Sequence, residues 1–80
     1  MNSLNAIKNK VRQLYVTNPN IHINVSLSQP KIRLRNHPVT IKSVYPNVFR
    51  IEDNQDGTSS FHTLQYSEIL TKQLEIVELM

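Results

Sequence analysis

Between Ile21 and Ser28 every second residue is apolar: Ile21, Ile23, Val25 and Leu27 alternate with His22, Asn24, Ser26 and Ser28. A period of two places one set on each face of a pleated strand. A helix is excluded here, and the strand must be covered on one side and open to solvent or a ligand on the other. Ser28-Gln29-Pro30-Lys31 has turn chemistry. Beyond it Ile32 and Leu34 alternate with Lys31, Arg33 and Arg35. Closed as an antiparallel hairpin, the two runs set Leu27 opposite Ile32, Val25 opposite Leu34 and, on the outer side, Ser26 opposite Arg33. That outer face is basic and polar and carries no acid on either strand.

At Asn36-His37-Pro38 the parity slips. Ile32 and Leu34 point inward at even positions, whereas Val39 and Ile41 need odd ones. Such a change within one extended run predicts a bulge or sharp bend. Pro38, which lacks a backbone donor, places the bend at a sheet edge. Thr40 and Lys42 then face outward. Tyr45-Pro46-Asn47 forms a tight turn, with Pro46 suited to its second position. Phe49 and Ile51 alternate with Val48 and Arg50 beyond it.

Asp53-Asn54-Gln55-Asp56-Gly57 is a loop with an Asp-Gly turn signal. A strand follows from about Ser60 to Tyr66. Ser67-Glu68-Ile69-Leu70 reads as one helical turn, capped by Ser67 and plugging the core with Ile69 and Leu70. Leu74, Ile76 and Val77 make a last short strand. Five strands over residues 21–78, one of them long and bent, predict a small barrel.

A helix over residues 3–16 precedes the strands. Leu4, Ile7, Val11, Leu14 and Tyr15 recur at helical spacing and form one apolar stripe. Ser3 is the expected N-cap, and Asn18-Pro19 ends the run because a residue before proline avoids the α region. Lys8 and Arg12 lie on the opposite face, with Lys10 to one side.

Eighty residues make a single domain over 1–80 with one thin core. No cysteine is present, so neither disulfides nor thiolate metal sites staple the fold. No basic start followed by a long apolar run marks a secretory signal, and no run is long enough to cross a bilayer. A cytoplasmic, non-membrane protein is expected. The net charge of +3 hides a strong asymmetry: eight Lys or Arg and no acid precede Glu52, and six acids and one Lys follow Ile51. A basic half of this kind points to a polyanion, to pairing of opposite faces between two copies, or simply to a solvated surface.

The strongest candidate for chemistry is this basic surface: Lys31, Arg33, Arg35 and Lys42, together with Lys8 and Arg12. Binding phosphates needs cations on one face without interleaved acids, because affinity comes from released counterions. Tyr15 and Tyr45 are candidates either for stacking bases or for the core and the turn. Glu52–Gly57 matches the start of a calcium loop, but Thr63 stands where the chelating Glu belongs, so a plain acidic turn is expected. His22, His37 and His62 have no metal-ligand spacing. With neither a nucleophile elbow nor a phosphate-cradling glycine loop, no enzyme, cofactor or metal is expected.

Three segments nevertheless resemble a known family. Tyr45-Pro46-Asn47-Val48-Phe49, then Tyr66-Ser67-Glu68-Ile69-Leu70-Thr71, then Leu74-Glu75-Ile76 are similar in order and spacing to the Veg family of small bacterial proteins. Leu4, Ile7 and Lys8 match its N-terminal Leu-x-x-Ile-Lys. Thr17–Asn20 and Gln29-Pro30-Lys31 stand where the family has glycines and a Gly-Arg-Arg/Lys segment. The resemblance implies a mainly β fold, an SH3-like small five-stranded barrel with an N-terminal α-helix. It also implies a non-enzymatic cytoplasmic protein concerned with gene regulation and biofilm formation. The expected partner is DNA or RNA held by non-specific phosphate contacts; the alternative is an adaptor that binds a regulator protein. A homodimer, through opposite charges or an open edge near Pro38, is a further expectation.

Overall fold

The computed structural model describes residues 4–28, 31–54 and 57–80. Helix α1 (Leu4–Thr17) leads into strands β1 (Asn20–Ser28), β2 (Lys31–Val44), β3 (Val48–Asp53) and β4 (Ser60–Gln65). A short helix α2 (Tyr66–Leu70), strand β5 (Leu74–Ile76) and a 3-10 turn (Val77–Leu79) complete the chain. The strands form one antiparallel sheet in the order β4-β3-β2-β1-β5.

Helix α1 lies over the sheet by its stripe: Ile7 and Val11 are buried, and Leu4 and Leu14 pack beside them. Tyr15 falls off that stripe and is 39% exposed. The helix ends where Asn18 N–H reaches the Leu14 carbonyl at 2.7 Å and Pro19 forbids another turn. The Ser3 cap lies outside the described residues.

The β1–β2 hairpin has the register that the alternation requires, with Val25 opposite Leu34, Ser26 opposite Arg33 and Leu27 opposite Ile32. Gln29 and Pro30 of its turn lie outside the described residues. The parity slip is a bulge. The register shifts between Ile23 and Val25, so that Asn24 faces both Arg35 and Asn36. Asn36 takes a left-handed φ of 50°, which asparagine tolerates better than most residues. Asn24 holds the bulge: its Oδ1 accepts the Asn36 N–H at 2.7 Å and its Nδ2 donates to Glu75 Oε1 at 3.3 Å.

The sheet departs from the sequence reading in three features. Pro38 is not at a sheet edge, because β2 is the central strand. It is tolerated because His22, its partner on β1, turns its own N–H away toward Glu78. That makes the pair non-hydrogen-bonded, and the missing Pro38 donor faces β3, whose ladder begins only at Thr40 and Glu52. Second, β2 bends twice. Ile41 pairs with Ile51 but Ser43 with Arg50, which leaves Lys42 as an extra residue in a second bulge. Third, the sheet is not closed into a barrel. Among the described residues no ladder joins β4 to β5. With three residues, β5 reaches only Ile23–Val25 of β1, and the two helices cover the core instead.

Among the described residues twelve apolar side chains form that core. Phe49 and Tyr66, both fully buried, stack with ring centroids 5.3 Å apart. The Tyr66 hydroxyl donates to the Tyr45 carbonyl at 2.9 Å, so the Tyr-Pro-Asn-Val-Phe turn and the Tyr66 segment are locked together. Burial pushes the Tyr66 phenol above its ordinary pKa, against the lowering effect of the Arg12 charge. Strand β4 stops one residue short of Tyr66. Ser67 is not the cap of α2; Gln65 takes that place, its N–H donating to the Glu68 carboxylate at 2.8 Å. Ile69 packs on the core, but Leu70 is 42% exposed.

Candidate nucleic-acid interface

Outward positions on β1 and β2 meet the loop 71–73 that joins α2 to β5. The loop is a Schellman closure: Lys72 N–H reaches the Ile69 carbonyl at 3.1 Å, and Gln73 N–H reaches the Glu68 carbonyl at 3.0 Å. This geometry forces Lys72 to φ 66°. Ser26 N–H then donates to the Gln73 carbonyl at 2.9 Å, tying the loop to the outside of the hairpin.

The result is a groove of about 400 Å³ whose polar lining is Asn24, Ser26, Arg33, Arg35, Lys72, Gln73 and Glu75. A neighbouring groove of about 250 Å³ adds Lys31 and shares Ser26, Arg33 and Gln73. Lys31, Arg33, Arg35 and Lys72 are all exposed. Among the described residues Glu75 is the single acid along either groove, and Asn24 holds its carboxylate. Cationic forks, an ammonium, a hydroxyl and amides along one trough suit the oxygens of a polyanion.

The structure therefore gathers three of the six predicted cations, Lys31, Arg33 and Arg35. The other three line neither groove. The Lys42 ammonium lies 3.6 Å from Glu52 Oε1 on β3. Lys8 sits 6.0 Å from the Tyr66 ring centroid, and Arg12 acts on the same tyrosine. Lys72 was not among the six. Its only signal in the sequence is that it is the one cation after Ile51, within an acidic stretch. Tyr15 and Tyr45 are exposed but line neither groove.

Two histidines have carboxylate partners that spacing does not reveal. His37 Nε2 lies 2.6 Å from Asp53 Oδ2, and His22 Nδ1 lies 2.8 Å from Glu78 Oε2. Glu78 also accepts the His22 N–H at 2.9 Å. Burial raises the Glu78 pKa, but these hydrogen bonds outweigh it and hold the carboxyl below its ordinary range. Among the described residues no three His, Cys, Asp or Glu side chains gather as a metal site. Of the calcium-like loop, Gln55 and Asp56 lie outside the described residues, and with them the Asp-Gly turn; Gly57 has a left-handed φ of 72°, which glycine adopts without strain. No helix among the described residues is long and apolar enough to cross a membrane.

These features define a small, mainly β protein: five antiparallel strands in one sheet, an N-terminal helix, and a cationic trough on the outer face of the first hairpin. The chain belongs to the Veg family, since the model of the family described as biofilm formation stimulator VEG matches residues 2–77. Comparison with curated proteins and with solved structures returns no match.

Proposed function

We propose that this Veg-family chain is a small non-enzymatic, cytoplasmic regulator that binds the phosphate backbone of nucleic acid and acts in gene control during biofilm formation. The fold proposed for it is an open variant of the SH3-like small barrel. One observation carries the binding reading: Arg33 and Arg35 of β2 and Lys72 of the 71–73 loop border one groove whose single acid among the described residues is held by Asn24. Phosphate contact of this kind is insensitive to base sequence and sensitive to salt.

The test is binding to labelled duplex DNA and single-stranded RNA over a salt series. A linear fall of log affinity with log salt is expected, with a slope of about −0.9 per phosphate contacted on duplex and about −0.7 on single strands. Replacing Arg33 and Arg35 with Glu should abolish binding while leaving the circular dichroism spectrum unchanged. Undiminished affinity in that variant would refute the assignment of this face.

A second reading, an adaptor that binds an acidic regulator protein, is favoured by a different observation: no aromatic side chain lines the grooves to stack a base. Capture of a partner that survives nuclease treatment separates the two.

A further inference from the structure

Strand β4 is an unguarded edge. Its sequence, Ser60-Phe61-His62-Thr63-Leu64-Gln65, contains no proline, lysine or acid, and it pairs with β3 without a bulge. Those are the usual devices that stop one sheet edge from adding to another. Five of its six residues are exposed, and Phe61 is 50% exposed with the Arg50 guanidinium 5.3 Å from its ring centroid. The opposite edge is guarded: β5 is short, and beside it the free His22 N–H of β1 is taken by Glu78 of the 3-10 turn.

The register fixes which backbone groups of β4 are available. Thr40 and Glu52 open the β2–β3 ladder as a hydrogen-bonded pair, so Phe49, Ile51 and Asp53 bond the other way, to Leu64, His62 and Ser60. The N–H and C=O groups of Phe61, Thr63 and Gln65 therefore point away from β3. The Gln65 N–H is capped by Glu68, which among the described residues leaves Phe61 and Thr63.

From this arrangement we infer that β4 pairs antiparallel with β4 of a second copy about a two-fold axis at His62. In that register each Phe61 exchanges both backbone hydrogen bonds with the second copy's Thr63, and the Glu68 cap stays intact. An axis at Thr63 would need the capped Gln65 N–H. An axis at Phe61 would recruit Ser59, which lies before the strand. A second copy fits better than a foreign strand, because an uncharged edge meets itself without repulsion although each chain carries a net charge of +3. The contact is also self-limiting: once β4 is used, the exposed ends of the joined sheet are the guarded β5 edges, so a closed pair forms and not a fibre. The inference does not rest on the cationic trough, which lies toward the β1–β5 side of the sheet, and the experiments on each are independent.

Strand pairing alone belongs to the small, transient class of interfaces, so sedimentation is run on the full chain up to about 1 mM. A monomer–dimer equilibrium without larger species is expected. Thr63→Pro removes an outward donor and leaves the ladder to β3 intact, and it should weaken association at least about tenfold. Thermal melting checks that this variant folds.

The register is read separately with introduced cysteines, since the chain has none. A non-hydrogen-bonded antiparallel pair brings Cα atoms to about 4.5 Å, within disulfide range. His62→Cys should therefore oxidise to a linked dimer, whereas Phe61→Cys and Thr63→Cys, which meet different residues across the axis, should not. A monomer at every concentration overturns the inference. So does a dimer in which all three cysteine variants link equally, or one in which His62→Cys fails to link.

Discussion

Lys72 occupies a position that suits glycine, and replacing it should move stability and binding in opposite directions. The residue sits at the C′ position of α2 with φ 66°. A left-handed backbone costs a residue with a Cβ about 1–2 kcal/mol. Glycine avoids that cost but has more freedom to lose on folding, by about 0.5–1 kcal/mol. The balance favours Lys72→Gly by about 0.5–1 kcal/mol, which in a domain of this size raises Tm by about 2–8 °C. Lys72→Ala keeps the strain and removes the same charge, so it serves as the reference. Both variants should lose one phosphate contact, seen as a salt slope on duplex DNA that is shallower by about 0.9. Paired thermal melts and binding titrations read both quantities. Should Lys72→Gly melt at or below Lys72→Ala, the strain argument is wrong. If both variants keep the wild-type salt slope, Lys72 is not part of the interface. If both outcomes are found, Lys72 holds a charge in place at the expense of stability.

Further outcomes can be checked by equilibrium unfolding. Asn24→Ala removes the acceptor of the exposed Asn36 N–H in the first bulge and should cost about 0.5–1.5 kcal/mol in urea unfolding. Tyr66→Phe removes the hydrogen bond to the Tyr45 carbonyl, for a loss of about 1 kcal/mol near neutral pH. Because burial raises the Tyr66 pKa above 10.0, its contribution is complete below the unfolded value and is lost as pH rises through the folded one. Wild-type stability should therefore fall on the alkaline side, and Tyr66→Phe should flatten that limb. Glu78 has the opposite sign: its folded pKa lies below 4.5, so its contribution is present above that value and disappears as pH falls through the folded pKa. Glu78→Gln should make acid titration of stability shallower.

Much of the sheet was legible because its signals are local. Alternation in β1 and early β2 set the hairpin register residue by residue, and the parity slip located the Asn36 bulge. The second bulge, at Lys42, was hidden because the Tyr45 turn follows too soon for a new alternation to appear. Closure into a barrel did not follow from bending, since it depends on whether two distant edges meet, and a three-residue β5 covers too little of β1. The site was half legible for the same reason. Arg33 and Arg35 share a strand face and are visible together, whereas Lys72 enters through a loop conformation and a Ser26–Gln73 hydrogen bond between remote segments. The His22–Glu78 pair spans 56 positions and the His37–Asp53 pair 16; no spacing rule connects them. Lys42 and Lys8 looked free because their neighbours, Glu52 and Tyr66, come from other elements.

The antiparallel join between β1 and β5 has a consequence for the order of assembly. The β1–β2 and β3–β4 hairpins are built from neighbours in the chain, whereas Ile23 must wait for Ile76 and Val25 for Leu74. Contacts of such long sequence separation are slow to close. The arginine face is therefore expected to form while Lys72 and Gln73 are still undocked, and the trough only after β5 has been added. If the proposed binding holds, competence to hold a polyanion would be a readout of finished folding: a nascent or locally opened chain would present cations but no groove.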